Sequence, residues 1–98
     1  MNIERIFSTE ERVKTIKNII YKINHISINN TAKELKLSKG LISKYCNILL
    51  KEQILKKEKN KFFVADNIKV KSIRILLNLN NFNIELFKKY INEISLCK

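Results

Sequence analysis

The chain has 98 residues, enough for one hydrophobic core and one domain. Twenty Lys and Arg residues stand against nine Asp and Glu residues, and the net charge of +11 favours a polyanionic partner, nucleic acid before an acidic membrane surface. No apolar run approaches the roughly 18 residues of a membrane span, and no secretory leader is recognised, so we expect a cytoplasmic protein without a membrane partner. Two cysteines, Cys46 and Cys97, are too few for a disulfide scaffold.

The first predicted helix runs from about Thr9 to Asn24. Ser8 and Glu11 have the spacing of a capping box, with Ser8 as the cap. Apolar residues then recur at helical spacing, with lysines on the opposite face. The residues predicted to face the core are Val13, Ile16, Ile20 and Ile23. His25 and Ile26, which follow, are expected to be extended.

Two further helices are predicted on either side of a turn at Lys36-Leu37. Ser27 is expected to cap a short helix that ends near Leu35, and Ser38 a helix from Lys39 to about Glu52. The inward positions are Ile28, Ala32 and Leu35 in the short helix and Ile42, Cys46 and Leu49 in the longer one, with Tyr45 at the edge of that face.

Beyond Gln53 the apolar pattern alternates, which predicts a β-hairpin. Residues 54–57 and 61–64 are its strands, and Glu58-Lys59-Asn60 is its tip, with Asn60 left-handed. In the second strand, Phe62 and Val64 are predicted to face inward and Phe63 outward. Either packing within the chain or a dimer contact would cover Phe63, and packing is favoured.

Two helices complete the predicted order, one capped by Asn67 and ending near Leu77, the other capped by Asn83 and reaching the C-terminus. The last helix carries two adjacent lines of apolar residues, more than a terminal helix needs to close a core. The sequence therefore predicts a homodimer interface, and symmetric half-sites with it. Its residues are Ile84, Leu86, Phe87, Tyr90, Ile91 and Ile94.

The segment from Ser27 to Tyr45 resembles the helix-turn-helix of winged-helix regulators such as the MarR and ArsR groups. It has the small Ala32 where two helices approach, apolar Leu35 and Leu37 around the turn, and a capped helix with Ile42 inward. The run 49–57 looks like the passage from the recognition helix into the wing. The likeness covers about residues 8–66 and is nearest to short-winged archaeal domains, which stand alone or precede a nucleotidyltransferase domain; the helix at 71–79 also looks like that group.

The resemblance implies a fold that is mainly α with a small β-hairpin, a winged helix-turn-helix of order α-α-α-β-β-α-α. Residues 1–98 would be a single domain, with a winged-helix core at 8–66 and C-terminal helices at 67–98. The family usually has Gly where this chain has Lys36 and Gln53, so we expect tolerated strain at both. Residues 28–65 carry nine Lys and three Glu, a net +6 of the chain's +11, which places the excess charge on this part.

A recognition helix enters the major groove with its N-terminal residues near base edges. Lys suits guanine, Asn suits adenine, Ser suits either, and the first amides of a helix can hold a phosphate. The residues expected to bind double-stranded DNA are Ser38, Lys39, Gly40, Ser43, Lys44 and Asn47 on the helix, and Lys56, Lys57, Lys59 and Lys61 on the hairpin. The alternatives are an ordinary solvated helix face and lysines that protect a sheet edge.

Other functions have less support from the sequence. Leu41, Ile48 and Leu50 are apolar where the family is usually polar, which fits either packing or a protein-interaction module. Cys46, Cys97 and His25 lack the clustering of a metal site, so a buried Cys46 is favoured over a metal sensor. We expect no enzyme activity and no cofactor, because no catalytic set of residues is recognised. The leading hypothesis is a homodimeric transcription regulator; the alternatives are the interaction module and an accessory domain of a nucleotidyltransferase.

Overall fold

The computed structural model describes residues 3–78, which form a mainly helical structure with a small two-stranded antiparallel sheet. This confirms the predicted combination of helices and one hairpin. The elements are α1 (Ile3–Ile6), α2 (Glu10–Ile19), α3 (Ile28–Leu35), α4 (Lys39–Lys51), β1 (Leu55–Glu58), β2 (Lys61–Val64) and α5 (Ile68–Leu77). The predicted last helix, from Asn83, and the six predicted dimer residues lie outside the described residues.

Helix α1 was not predicted, because four residues are too few to show a helical period. It matters for the core, since Ile6 and Phe7 are 0% and 2% exposed. The Tyr45 hydroxyl donates a hydrogen bond to the Ile6 carbonyl at 2.7 Å. Tyr45 is therefore buried, at 1% exposure, and its predicted place at the edge of the apolar face is wrong.

The first long helix begins near the predicted Thr9, but its predicted cap and its predicted end are wrong. The cap of α2 is Thr9, whose hydroxyl accepts a hydrogen bond from the Arg12 amide at 3.1 Å, and Ser8 instead accepts one from the Arg12 guanidinium. The helix ends at Ile19, not Asn24, and Ile23 is 94% exposed although it continues the apolar period. The reason is long-range, because the chain turns to bring Ile26 beside the hairpin.

The predicted caps Ser27, Ser38 and Asn67 are local, and the structure confirms them. Ser27 and Ser38 accept hydrogen bonds from the Asn30 and Leu41 amides at 3.2 and 3.1 Å. In the same way, the side-chain Oδ1 of Asn67 accepts a hydrogen bond from the Val70 amide at 3.0 Å. Each short polar side chain satisfies an amide that the helix leaves unpaired, so each sets the start of its helix.

Helix α4 is bounded by two left-handed residues that are not glycine. Lys36 has φ 57° and ends α3, while Gln53 has φ 65° just after α4. Both are the positions where the resemblance implied strain, which costs about 1–2 kcal/mol for a residue with a Cβ. Asn67 holds the second turn in place by donating a hydrogen bond to the Gln53 carbonyl at 2.8 Å.

The hairpin is tighter than predicted. Glu58 belongs to β1 and pairs with Lys61, so the loop has two residues, Lys59 and Asn60, with φ 50° and 62°. Two positive φ values match the twist of a hairpin, and the left-handed Asn60 is confirmed. Ile26 adds an antiparallel bridge to Phe62, with its amide 2.8 Å from the Phe62 carbonyl.

The core lies where helices α1 to α5 and the hairpin meet. Phe62 is buried and Val64 packs against the core, while Phe63, on the other face of β2, has its ring centroid 6.4 Å from that of His25. These contacts agree with the predicted orientation of the strand and with packing of Phe63 within the chain. The largest side chains below 2% exposure are Tyr45, Ile6, Ile16, Ile19, Ile20, Ile42, Leu49, Ile54, Ile73 and Val70.

Candidate nucleic-acid interface

The solvent-facing side of α4 carries the predicted groove-binding residues. Lys39, Gly40, Lys44 and Asn47 are exposed, and Ser43 is half-buried. Positions 40, 43, 44 and 47 follow helical spacing, so they form one stripe. The opposite side of the helix contributes Ile42, Cys46 and Leu49, each 0% exposed, to the core. The burial of that side fixes which residues of α4 a ligand can reach.

Gly40 is the only glycine in the chain, and the fold does not require it. A Cβ built at this position meets no atom within 4 Å, and its backbone is helical rather than left-handed. Glycine lowers helix stability relative to alanine by up to about 1 kcal/mol. A glycine that packing and backbone geometry leave unexplained is consistent with close approach of a ligand to this turn.

Two of the side chains predicted to contact DNA already form hydrogen bonds within α4. The Ser38 hydroxyl caps α4, and the Asn47 side-chain amide donates a hydrogen bond to the Ser43 carbonyl at 3.1 Å. That bond uses one N–H of the Asn47 amide and restrains the side chain, and turning away from it to meet a base would give up about 1 kcal/mol. Lys44, for which no such bond is described, is the better placed of the two for a base edge.

The three apolar residues of α4 that suggested a protein-interaction surface pack inward instead. Ile48 is 7% exposed, and Leu41 and Leu50 are half-buried against the core. Packing, one of the two alternatives from the sequence, therefore accounts for them.

The four hairpin lysines do not form one continuous surface. Lys57 shares a face with the buried Leu55, and its ammonium lies 5.3 Å from the centroid of the Phe62 ring. Lys56 lies on the other face and forms an ion pair with Glu58 at 3.2 Å. Lys59 is at the turn, and Lys61 is opposite Glu58. All four lysines are exposed, but Lys56 is shared with a carboxylate and Lys57 with an aromatic ring, which leaves Lys59 and Lys61 as the stronger candidates for phosphate contacts.

Arg12 was missed by the sequence reasoning, yet it joins three parts of the structure. Its guanidinium donates to the Arg5 carbonyl and to the Ser8 hydroxyl, and it lies 5.7 Å from the centroid of the Tyr45 ring. Arg12 also lines a cleft with Gly40 and Lys44. No local pattern marks it, because its partners come from α1 and α4 and the α1–α2 connection.

A second cleft lies between the start of α3 and the hairpin tip. Ile26 and Phe62, both buried, are among its lining residues, and the bridge between them fixes their separation. His25 and Lys61 are exposed residues of the same cleft. The structure thus brings Lys61 beside a histidine that was considered only as a metal ligand.

Cys46 is fully buried, as predicted, and burial raises the pKa of its thiol to about 11. Burial likewise raises the pKa of the Tyr45 phenol far above its usual range, and the nearby Arg12 only partly opposes this. Among residues 3–78 there is no group of three or more His, Cys, Asp or Glu side chains that could hold a metal ion. Cys97, the other cysteine of the metal hypothesis, lies outside the described residues.

No family model, curated protein or solved structure matches this chain. Within the part of the chain that the structure describes, no helix has the length and apolar character needed to cross a membrane.

Proposed function

We propose that this chain is a winged helix-turn-helix protein that binds double-stranded DNA with α4 in the major groove. The observation that carries the proposal is the exposed stripe at Gly40, Ser43, Lys44 and Asn47, on a helix whose other side is buried. A helix presenting Lys, Ser and Asn in this way has donors and acceptors for base edges.

The arrangement around α4 supports the same proposal. Helix α3 packs against α4 through a turn at the left-handed Lys36. The hairpin follows α4 after Gln53, and Ile26 pairs with it in the manner of a third, one-residue strand. Three helices followed by a hairpin is the order expected of a winged helix, and this supports the proposal that the hairpin is the wing. Lys59 at the tip and Lys61 on β2 are then available for phosphates.

We further propose that the protein acts as a homodimeric transcription regulator. The apolar lines predicted in residues 83–98 are the main support. Helix α5 adds to it, because Ile68 and Ile75 are 65% and 59% exposed and, being seven residues apart, lie on the same side of the helix. A two-fold assembly would present two copies of α4 to a pseudo-palindromic site.

The first test is selection of bound sequences from random duplex DNA, followed by affinity measurements on the selected duplex. Lys44→Ala is expected to weaken binding by about 1–3 kcal/mol, the range for a base contact. Lys14→Ala is the control, since Lys14 is exposed on α2 and lines neither of the two clefts. No enrichment of any sequence, or equal losses for the two variants, would refute sequence-specific binding through α4.

The protein-interaction module is the second candidate. Its support now rests on the exposed Ile68 and Ile75 of α5 rather than on α4. Duplex binding whose affinity falls steeply with salt favours the first proposal, whereas an interaction module has no such dependence on duplex DNA. A catalytic partner encoded beside this gene would favour the accessory-domain alternative.

A further inference from the structure

The face of the hairpin that points away from the core continues onto the segment before α3. Ile26 pairs with Phe62 in antiparallel orientation, so His25 lies opposite Phe63 and Ser27 opposite Lys61. Side chains alternate along extended backbone. Because Ile26 and Phe62 point into the core, His25, Phe63, Ser27 and Lys61 point to the other face.

The positions of the two rings agree with this register. The His25 and Phe63 centroids are 6.4 Å apart, with the ring planes at 66°, an edge-to-face contact. His25 and Lys61 are then diagonal neighbours across the pairing, which in a sheet lie about 7–8 Å apart with their Cβ atoms somewhat closer. Long side chains at that separation can converge on one small group placed between them.

The charge of this face suits an anion. Lys61 carries a positive charge, and His25 gains one when it is protonated. On the same face, Glu58 pairs with Lys61 in the strand register and forms an ion pair with Lys56 at 3.2 Å. The remaining polar residues of the cleft, Ser27, Asn29 and Asn60, are uncharged. The cleft has a volume of about 250 Å³.

We propose that this cleft binds a phosphate of the DNA backbone through His25 and Lys61, so that affinity for duplex rises as His25 becomes protonated. The inference rests on the proposed DNA binding and adds a phosphate contact and a pH response to it. Imidazolium and ammonium groups both donate hydrogen bonds to phosphate oxygens. Bound phosphate also relieves the repulsion between the two cations, so binding and protonation favour each other.

His25 is the only histidine in the chain, which makes the inference easy to isolate. Histidine changes charge between about pH 8 and pH 5, and the comparison is best made between about pH 7.0 and 5.5, below the range where the α-amino group titrates. Affinity for a fixed duplex is measured at both pH values over a series of salt concentrations. Lowering the pH should tighten binding roughly fivefold, the upper range for an exposed ion pair. The salt dependence should steepen by about one unit, as for one more phosphate contact.

Three variants complete the experiment. His25→Gln should bind duplex with the same affinity and salt slope at both pH values. Lys61→Gln should keep part of the pH response but bind more weakly at both, and Lys14→Gln, outside the cleft, should keep the full response. Thermal unfolding at each pH is compared among the variants, so that a loss of fold is not taken for a loss of contact.

A second measurement follows the imidazole directly by proton NMR. Adding duplex should move the midpoint of the His25 titration to higher pH, whereas inorganic phosphate at equal ionic strength should move it less. A larger shift with inorganic phosphate would indicate a free-anion site and overturn the assignment to the DNA backbone. Two results overturn the inference while leaving DNA binding intact. One is a pH response that persists in His25→Gln, and the other is an unmodified protein whose affinity for duplex does not change with pH. Failure to bind duplex at either pH overturns the proposed function and the inference with it.

Discussion

The Gly40→Ala substitution tests separately whether Gly40 contributes to the stability of the fold and whether it contributes to binding of a ligand. The alanine Cβ meets no atom within 4 Å in the free protein, so the substitution has no steric cost there. Gly40 is in the first turn of α4, where the preference for alanine is weaker than in the middle of a helix. We therefore expect the free energy of unfolding to rise by about 0.5–1 kcal/mol. For a domain of this size, that raises Tm by roughly 2–8 °C.

Affinity for DNA should change in the opposite direction. If a duplex approaches the backbone at Gly40, an added methyl group displaces it and Lys44 moves away from the base edges on the same stripe. We expect at least about a tenfold loss of affinity for a selected duplex, the effect of losing roughly 1.4 kcal/mol. Gly40→Ser should lose at least as much, because it adds one more atom.

The measurements are thermal unfolding and fluorescence anisotropy with labelled duplex. Lys14→Ala is the control, since Lys14 is exposed on α2 and lies outside the stripe and both clefts. A stabilised Gly40→Ala protein that binds duplex as well as the parent would refute close approach at Gly40. An unchanged Tm would refute the argument that the fold has no use for this glycine.

Three further predictions follow from the site and the core. Replacing Lys59 and Lys61 with Gln should reduce the salt dependence of duplex binding by about two units, one per phosphate contact, whereas Lys57→Gln should change it less; equal effects would contradict the hairpin geometry. Removing residues 83–98 should convert a dimer into a monomer in sedimentation and weaken duplex binding, and an intact protein that is already monomeric would contradict the dimer proposal. The raised pKa of the Cys46 thiol means that the unfolded chain loses this proton near pH 9, whereas the folded chain keeps it to about pH 11. The free energy of unfolding should therefore fall as the pH rises over that range. Cys46→Ala should show a smaller fall when unfolding is measured by urea titration.

The features that the sequence predicted correctly depend on residues close together in the chain, although the cap of α2 was misplaced by one residue. The caps Ser27, Ser38 and Asn67 each bind an amide three residues away, so a short pattern contains all the information. The buried face of α4 also follows from helical spacing alone. The end of α2 could not be predicted in this way, because the bridge between Ile26 and Phe62 joins residues 36 positions apart.

In the candidate site too, the sequence predicted what depends on nearby residues and missed what depends on residues distant along the chain. The exposed stripe of α4 could be read from its spacing, whereas the cleft that joins His25 to Lys61 depends on how the hairpin docks. No sequence pattern pointed to Arg12. Its guanidinium contacts Tyr45 of α4, which is distant along the chain, and Arg5 of α1, a helix that the sequence did not predict. Lys56 and Lys57 looked equivalent in the sequence, but the strand places them on opposite faces with different neighbours.

Asn67 has one consequence beyond starting a helix. Its side chain accepts from the Val70 amide inside α5 and donates to the carbonyl of Gln53, two residues after α4 ends. The Lys69 ammonium adds a hydrogen bond to the Gln53 side chain at 3.2 Å. The start of α5 is thus tied mechanically to the end of α4 by side chains at the surface. Because Val70 and Ile73 of α5 are also buried in the core, a tilt of α5, such as assembly with another chain would impose, would act on the core and on the junction between α4 and the hairpin together.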